Sequence, residues 1–142
     1  MCGITGVIDF NKQSSNEILL AMTNSLAHRG PDGSGVDLQS ENDFQIGFGH
    51  RRLSIIDLTE NAKQPMRFNQ FSITFNGEIY NYKEIKFELE KLNHSFSTTS
   101  DTEMILHAYS EWKEACLEKF IGMFAFVIYD KEKQEVFCAR DR

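Results

Sequence analysis

The 142-residue sequence lacks the features that mark several common classes of protein. No apolar run approaches the ~20 residues of a membrane-spanning helix, and no basic stretch followed by an apolar core marks a secretion signal. Lys and Arg total 15 against 21 Asp and Glu, and the net charge of −6 disfavours binding to nucleic acid or to an anionic membrane. We therefore expect a cytoplasmic protein that binds neither nucleic acid nor membrane.

Patterns for metal and nucleotide chemistry are also missing from the sequence. The three cysteines, Cys2, Cys116 and Cys138, include no C-x-x-C pair, so neither a zinc site nor a disulfide framework is predicted. The four histidines show no H-E-x-x-H spacing, and no G-x-x-x-x-G-K-[ST] loop is present to bind a nucleotide phosphate. We therefore expect no metal and no cofactor in this domain.

The apolar pattern predicts several strands in a single domain. Apolar residues alternate with polar or small ones in two segments, and the chain start is rich in β-forming residues. A nearly continuous apolar segment near the C-terminus predicts a central strand covered on both faces, with a hairpin partner after a polar turn. The predicted strands are 3–10, 44–48, 71–75, a short one at Phe96, 123–129 and 135–139.

Three helices are predicted between these strands. The first follows a capping box at 14–17, carries an apolar stripe through 18–26 and should end near Gly30. The second spans about 81–92, and the third follows a capping box at 100–103. Because strands and helices occur in clusters and do not alternate strictly, the pattern favours an α+β fold with antiparallel sheets.

The second residue of the chain could act as a nucleophile. If Met1 is removed, Cys2 carries a thiol and a free α-amine, whose ordinary pKa values are ~8.5 and ~7.7–8.0. The amine can accept the thiol proton, so one residue would supply both the attacking group and the base of an acyl transfer. A cysteine that occupies this position by chance, packed or exposed, is the alternative.

An acyl transfer also needs donors for the developing oxyanion and groups that hold the substrate. Asn76 can donate from its amide and Gly77 from its backbone N–H, each such donor being worth about 2.7–4 kcal/mol, although an Asn-Gly pair can instead form a hairpin turn. Arg52 can hold a carboxylate by two parallel hydrogen bonds, while Glu78 and Asp101 can pair with an ammonium group. A solvated arginine and a helix-capping aspartate are the alternatives. Together, these residues suit a free amino acid.

Seven blocks of sequence resemble one known family. They are MCGITGVIDF, HRGPDGSG, HRRLSIIDL, FNGEIYNY, SDTEMIL, GMFAFVIYD and ARDR, in this order from residue 1 to residue 142. The chain is thereby similar to the class II glutamine amidotransferase domain of asparagine synthetases, which has an N-terminal-nucleophile hydrolase fold. Relatives that feed ammonia to sugar-phosphate or phosphoribosyl substrates share the N-terminal Cys and the Asn-Gly, but the RGPD and RLSIID blocks look more like asparagine synthetase.

The resemblance implies a fold, a reaction and a role for each candidate residue. The implied fold is a four-layer αββα sandwich of two antiparallel sheets. The implied reaction is hydrolysis of L-glutamine to glutamate and ammonia through a thioester. The implied roles are Cys2 as nucleophile; Asn76 and Gly77 as oxyanion hole; Arg52 as partner of the α-carboxylate, with Leu53, Ser54, Ile55 and Ile56 lining the pocket; and Glu78 and Asp101 as partners of the α-amino group.

In that family, further strands and an ATP-dependent synthetase domain follow the ARDR block. We expect neither within residues 1–142, so ATP and Mg²⁺ would act only in a synthetase domain or subunit, which would also hold the ammonia acceptor. A sheet without its last strands could expose an edge and associate as a homo-oligomer. A silent glutamine-binding or partner-binding module, or a truncated fragment, is therefore the alternative to an active glutaminase.

Overall fold

The computed structural model describes residues 2–53 and 63–142, and these two ranges contain seven strands and four helices. Three of the helices are α-helices and the fourth is a 3₁₀ helix at Lys113–Lys119. The elements are β1 (Gly3–Asp9), α1 (Asn16–Asn24), β2 (Gly33–Ser40), β3 (Gln45–Arg52), β4 (Met66–Phe68), β5 (Phe71–Ile79), α2 (Tyr82–Lys91), α3 (Asp101–Trp112), β6 (Gly122–Asp130) and β7 (Glu135–Arg140). In the described part of the chain, no helix has the length and apolarity to cross a membrane.

The strands form two antiparallel sheets that pack face to face. The first sheet has the order β1-β3-β2 and the second has the order β4-β5-β6-β7. α1 packs on the first sheet, α3 packs on β4 and β5 of the second, and α2 packs against α3. The predicted α+β fold with an αββα layering is therefore confirmed.

The alternation along β5 explains how the second sheet has two different faces. Phe71, Ile73 and Phe75 belong to the apolar core beneath the helices α2 and α3. The intervening Ser72 and Thr74 lie on the opposite face of the strand and contact the first sheet. There, Ser72 Oγ accepts a hydrogen bond of 3.0 Å from Gln39 Nε2, and Thr74 Oγ1 donates to the Gly49 carbonyl at 3.1 Å.

The contact between α1 and the first sheet depends on the absence of a side chain in β3. A Cβ atom added at Gly49 would lie 2.0 Å from Thr23 Oγ1 and 2.4 Å from Thr5 Oγ1. These two hydroxyl groups are themselves hydrogen-bonded at 3.0 Å, which ties α1 to β1 directly above Gly49. The glycine therefore lets the helix approach the sheet closely enough to hold β1.

The first helix differs from its prediction in both its cap and its buried face. Ser15, not Ser14, caps α1 and accepts from the Ile18 N–H, because the Ser14 hydroxyl donates to Asp9 Oδ2 at 2.8 Å instead. The buried face of α1 runs through Leu19 and not through Ile18, which is 50% exposed. The helix also ends at Asn24, earlier than predicted.

Two further predictions about the second half of the chain have different outcomes. The N-cap of α3 is confirmed, since the Ser100 hydroxyl accepts from the Glu103 N–H at 3.2 Å. The reciprocal bond of a capping box is replaced, because the Ser100 N–H donates to Thr98 Oγ1 and the Glu103 carboxylate accepts from Ser97 and Thr98. The short strand at Phe96 is wrong, because this residue lies in the connection between α2 and α3. Its ring packs on the His107 ring with centroids 4.4 Å apart, so its apolar side chain is used for packing without strand pairing.

We expect Gly49→Ala to lower the free energy of unfolding by about 1–3 kcal/mol, because the added methyl group forces α1 away from β3. Gly6→Ala in the paired strand β1 is the matched control, since its nearest neighbour would be a Phe48 ring carbon at an ordinary 3.6 Å. The control should change stability by less than about 0.5 kcal/mol. Urea denaturation measures both, and equal losses would contradict the close packing described here.

Candidate active site

A cavity of about 150 Å³ lies where the ends of β1, β3 and β5 meet the start of α3. Seven residues predicted to form a site line it: Cys2, Arg52, Leu53, Asn76, Gly77, Glu78 and Asp101. Ser54, Ile55 and Ile56, also predicted to line the substrate pocket, lie outside the described residues. Six lining residues were not predicted: His50, Gln64, Phe75, Ser100, Thr102 and Met123. The structure thus brings together residues as far apart in the sequence as Cys2 and Met123.

The position of Cys2 is fixed by the neighbouring strand. β1 pairs antiparallel with β3, and Gly3 lies opposite Arg51 in this register. Cys2 Sγ accepts a hydrogen bond of 3.3 Å from the Leu53 N–H, and Arg29 Nε donates to the Cys2 carbonyl at 3.2 Å. The sulfur therefore lies against the backbone just after Arg52, at the wall of the cavity.

The Asn-Gly pair lies inside β5, so the hairpin-turn interpretation is wrong. Asn76 and Gly77 pair with Ala125 and Phe124 of β6. Gly77 has φ = +150°, and a Cβ atom there would lie 2.1 Å from the Met123 carbonyl oxygen, so this position requires glycine. The sheet can therefore present the Asn76 side chain and the Gly77 backbone to the cavity as one rigid corner.

The Asn76 side chain also has a buried polar atom without a partner in the described part of the chain. Its Oδ1 atom is buried and has no hydrogen-bond partner among the described residues. Buried polar atoms are normally paired, so an unpaired one that borders a cavity indicates a place for a ligand or a water molecule. A half-turn of the amide exchanges Oδ1 for the Nδ2 donor, which is the group an oxyanion needs.

Asp101 is held at the cavity by the end of β5. It is the first residue of α3, next to the capping Ser100, and its Oδ2 accepts from the Ile79 N–H at 3.2 Å. Burial raises the pKa of this carboxyl to about 6 and the nearby Glu78 carboxylate adds to the effect, although hydrogen bonds from backbone N–H groups oppose it. Two carboxyl groups at one wall of a cavity suit a cationic ligand group, which would restore the charged form.

His50 gives the cavity a neutral ring. The residue is 97% buried, and this burial lowers its pKa to about 4. The positive charge of Arg52 lowers the pKa further, whereas an interaction with the Phe75 backbone favours the charged form and opposes both effects. At neutral pH the ring is therefore uncharged. Its Nε2 atom is buried and has no hydrogen-bond partner within the ranges 2–53 and 63–142.

Gln64 connects two walls of the cavity. Its Oε1 accepts a hydrogen bond of 2.6 Å from the Phe75 N–H, and its Nε2 donates to Thr102 Oγ1 at 3.2 Å. Neither Gln64 nor His50 stood out in the sequence, because each acts on the backbone of a residue far along the chain. The only local signal was the position of Gln64 in a Gln-Pro loop and of His50 in the HRRLSIIDL block.

The two-sheet sandwich of this chain is also the fold of a solved amidotransferase. The glutamine phosphoribosylpyrophosphate amidotransferase of B. subtilis, solved in complex with ADP and GMP, superimposes with a TM-score of 0.75 at 21% identity, covering 97% of this chain and 37% of that one.

The family model for the glutamine amidotransferase domain matches residues 1–142, and the chain belongs to this family. It is 41% identical to asparagine synthetase [glutamine-hydrolyzing] 3 of Bacillus subtilis over 100% of this chain and 23% of that protein. It is also 41% identical to the putative asparagine synthetase [glutamine-hydrolyzing] 2 of Methanocaldococcus jannaschii, over 100% of this chain and 30% of that protein. The chain thus spans about a quarter of the length of these relatives.

The raised pKa of Asp101 predicts that Asp101→Asn stabilises the protein at neutral pH. The folded pKa of about 6 exceeds the ordinary value of 3.8, so ionisation costs folding energy above pH 6 and costs nothing below about pH 4. We expect the variant to raise the free energy of unfolding by roughly 1–3 kcal/mol at pH 7.5, with the gain disappearing at pH 4. Urea denaturation across this pH range measures the difference.

Glu103→Gln, two residues along α3, is the matched control with the opposite sign. Burial opposes ionisation of Glu103, but hydrogen bonds from Thr98 and Ser97 outweigh it and keep its pKa below the usual range. This substitution should therefore destabilise the protein at pH 7.5, and less so as the pH falls to 4. A loss of stability at pH 7.5 in both variants would contradict the account of Asp101.

Proposed function

We propose that this domain hydrolyses L-glutamine through a thioester on Cys2 and supplies the ammonia to an acceptor site of the asparagine synthetase type. The observation that carries the proposal is the shared cavity: the thiol, the guanidinium of Arg52, the Asn76-Gly77 corner and the carboxyl group of Asp101 all line it. Its volume of about 150 Å³ suits a small amino acid.

The charged groups that line the cavity suit the two charges of a free amino acid. Arg52 would hold the α-carboxylate through two parallel hydrogen bonds. Asp101 and Glu78 would face the α-ammonium group, which favours the ionised form of both carboxyl groups. The side-chain carboxamide would then extend towards Cys2 and the Asn-Gly corner.

The first chemical step forms the thioester. Once Met1 is removed, the α-amine of Cys2 takes the thiol proton and Sγ attacks the carboxamide carbon of glutamine. The carbonyl oxygen becomes an oxyanion, which Asn76 Nδ2 and the Gly77 N–H would stabilise. The C–N bond then breaks, the α-ammonium group returns its proton to the leaving nitrogen, and ammonia departs from a γ-glutamyl thioester.

The second chemical step regenerates the thiol. The α-amine removes a proton from a water molecule as the water oxygen attacks the thioester carbon, and the same corner stabilises the second oxyanion. The C–S bond breaks, the sulfur regains a proton and glutamate is released. Both steps need only groups of the chain, glutamine and water.

The relatives support a proposal for the acceptor of the ammonia. Those described above are named as glutamine-hydrolysing asparagine synthetases, and this chain matches about a quarter of their length. We infer that the ammonia passes to a synthetase domain or subunit that uses ATP and Mg²⁺, with aspartate as the expected acceptor. A reducing cytoplasm suits a mechanism that needs a free thiol.

We expect the Met-free protein to release glutamate from glutamine, and Cys2→Ala to abolish this release while still binding glutamine in calorimetry. Arg52→Lys should raise KM at least tenfold, because a lysine cannot form the paired hydrogen bonds to the carboxylate. Intact-mass measurement first establishes that Met1 is gone. A chain that binds glutamine without turnover would identify a silent binding module instead.

Arg67→Lys is the matched control for the arginine substitution. Arg67 forms an ion pair with Asp37 and its side chain is 56% exposed. It does not line the cavity described here. Its substitution should leave both KM and kcat within about twofold, so a comparable rise of KM in both variants would contradict the role given to Arg52.

A further inference from the structure

The edge of β5 beside the cavity is completed by a side chain. β4 pairs with β5 only as far as Ile73, which lies opposite Met66. Two residues further along, the Phe75 N–H would therefore lack a partner on this side, and a buried N–H without a partner is costly. The Gln64 side chain takes the place of a strand, since its Oε1 accepts from Phe75 N at 2.6 Å.

The same amide reaches the other wall of the cavity. Its Nε2 donates to Thr102 Oγ1 at 3.2 Å. Thr102 is buried in the first turn of α3 and directly follows Asp101. Phe75 directly precedes Asn76 in β5. The Gln64 side chain thus connects Phe75, which precedes Asn76, with Thr102, which follows Asp101.

Backbone packing also holds Gln64 in place. Its backbone packs directly against Gly35 of β2, with no side chain between them. The Gln64 carbonyl thus lies against β2, while its side chain lines the cavity beside the buried His50.

We propose that Gln64 is a positioning residue whose side-chain amide sets the distance between the oxyanion corner and the first turn of α3. This inference rests on the proposed function, because the two ends that it connects are the two ends of a bound glutamine. Loss of the Phe75 contact loosens the corner that stabilises the transition state, so it lowers kcat. Loss of the Thr102 contact lets Asp101 move, so it raises KM.

Gln64→Met tests the proposal, because methionine has a similar length but no hydrogen-bonding amide. Gln39→Met is the matched control: Gln39 also binds β5 through an amide, at Ser72, but its side chain lies away from the cavity. We expect kcat of Gln64→Met to fall at least tenfold at saturating glutamine, whereas Gln39→Met keeps kcat and KM within about twofold even if it loses stability.

Thr102→Val separates the two contacts and remains informative should Gln64→Met fail to fold. It removes only the hydroxyl group on α3, so KM should rise about fivefold while kcat stays within about twofold. The Phe75 amide, which donates to Gln64 Oε1, should exchange faster in Gln64→Met than in Gln39→Met, a readout that needs no turnover.

The outcomes distinguish this inference from the proposed function. A wild-type protein that releases no glutamate overturns the proposed function and the role of Gln64 with it. An active wild-type protein in which Gln64→Met and Gln39→Met have equal kcat and KM overturns the positioning role alone. An unchanged KM in Thr102→Val overturns the connection to α3.

Discussion

The antiparallel pairing of β1 with β3 is the constraint on which the site depends. Chain ends normally fray, and a nucleophile at the second position would lose its geometry with them. Here the pairing begins at Gly3 opposite Arg51, and the Leu53 N–H continues it by donating to the sulfur of Cys2. The same strand, β3, ends in Arg52, so one ladder places the thiol and the guanidinium together.

The remaining groups lie on a second rigid support. Asn76 and Gly77 are part of β5 and pair with β6, so the corner that they form cannot move as a loop does. The Ile79 N–H of the same strand donates to Asp101, which links the start of α3 to β5. Groups carried by strands keep their positions better than groups on loops, which is what stabilisation of a short-lived oxyanion requires.

Local chemistry in the sequence was enough to predict much of the fold and site. The period-two pattern of Phe71, Ile73 and Phe75 predicted β5, and residue type singled out Cys2 and Arg52, which line one cavity. The hairpin interpretation of Asn-Gly was wrong because pairing with β6, remote in sequence, overrides the local turn preference. Gln64 was not predictable, since its role depends on where β4 stops relative to Phe75.

Under the proposed function, stability and substrate binding make opposite demands on Asp101. Burial raises its pKa to about 6, so the folded protein pays for the charge that would hold an ammonium group. Binding that ammonium group would lower the pKa again, so near pH 6 glutamine would release a proton on binding and its affinity would rise with pH. The α-amine of Cys2, with an ordinary pKa of ~7.7–8.0, must also be neutral to act as base. Both requirements point in the same direction, and the proposed reaction should therefore proceed better on the alkaline side of neutrality.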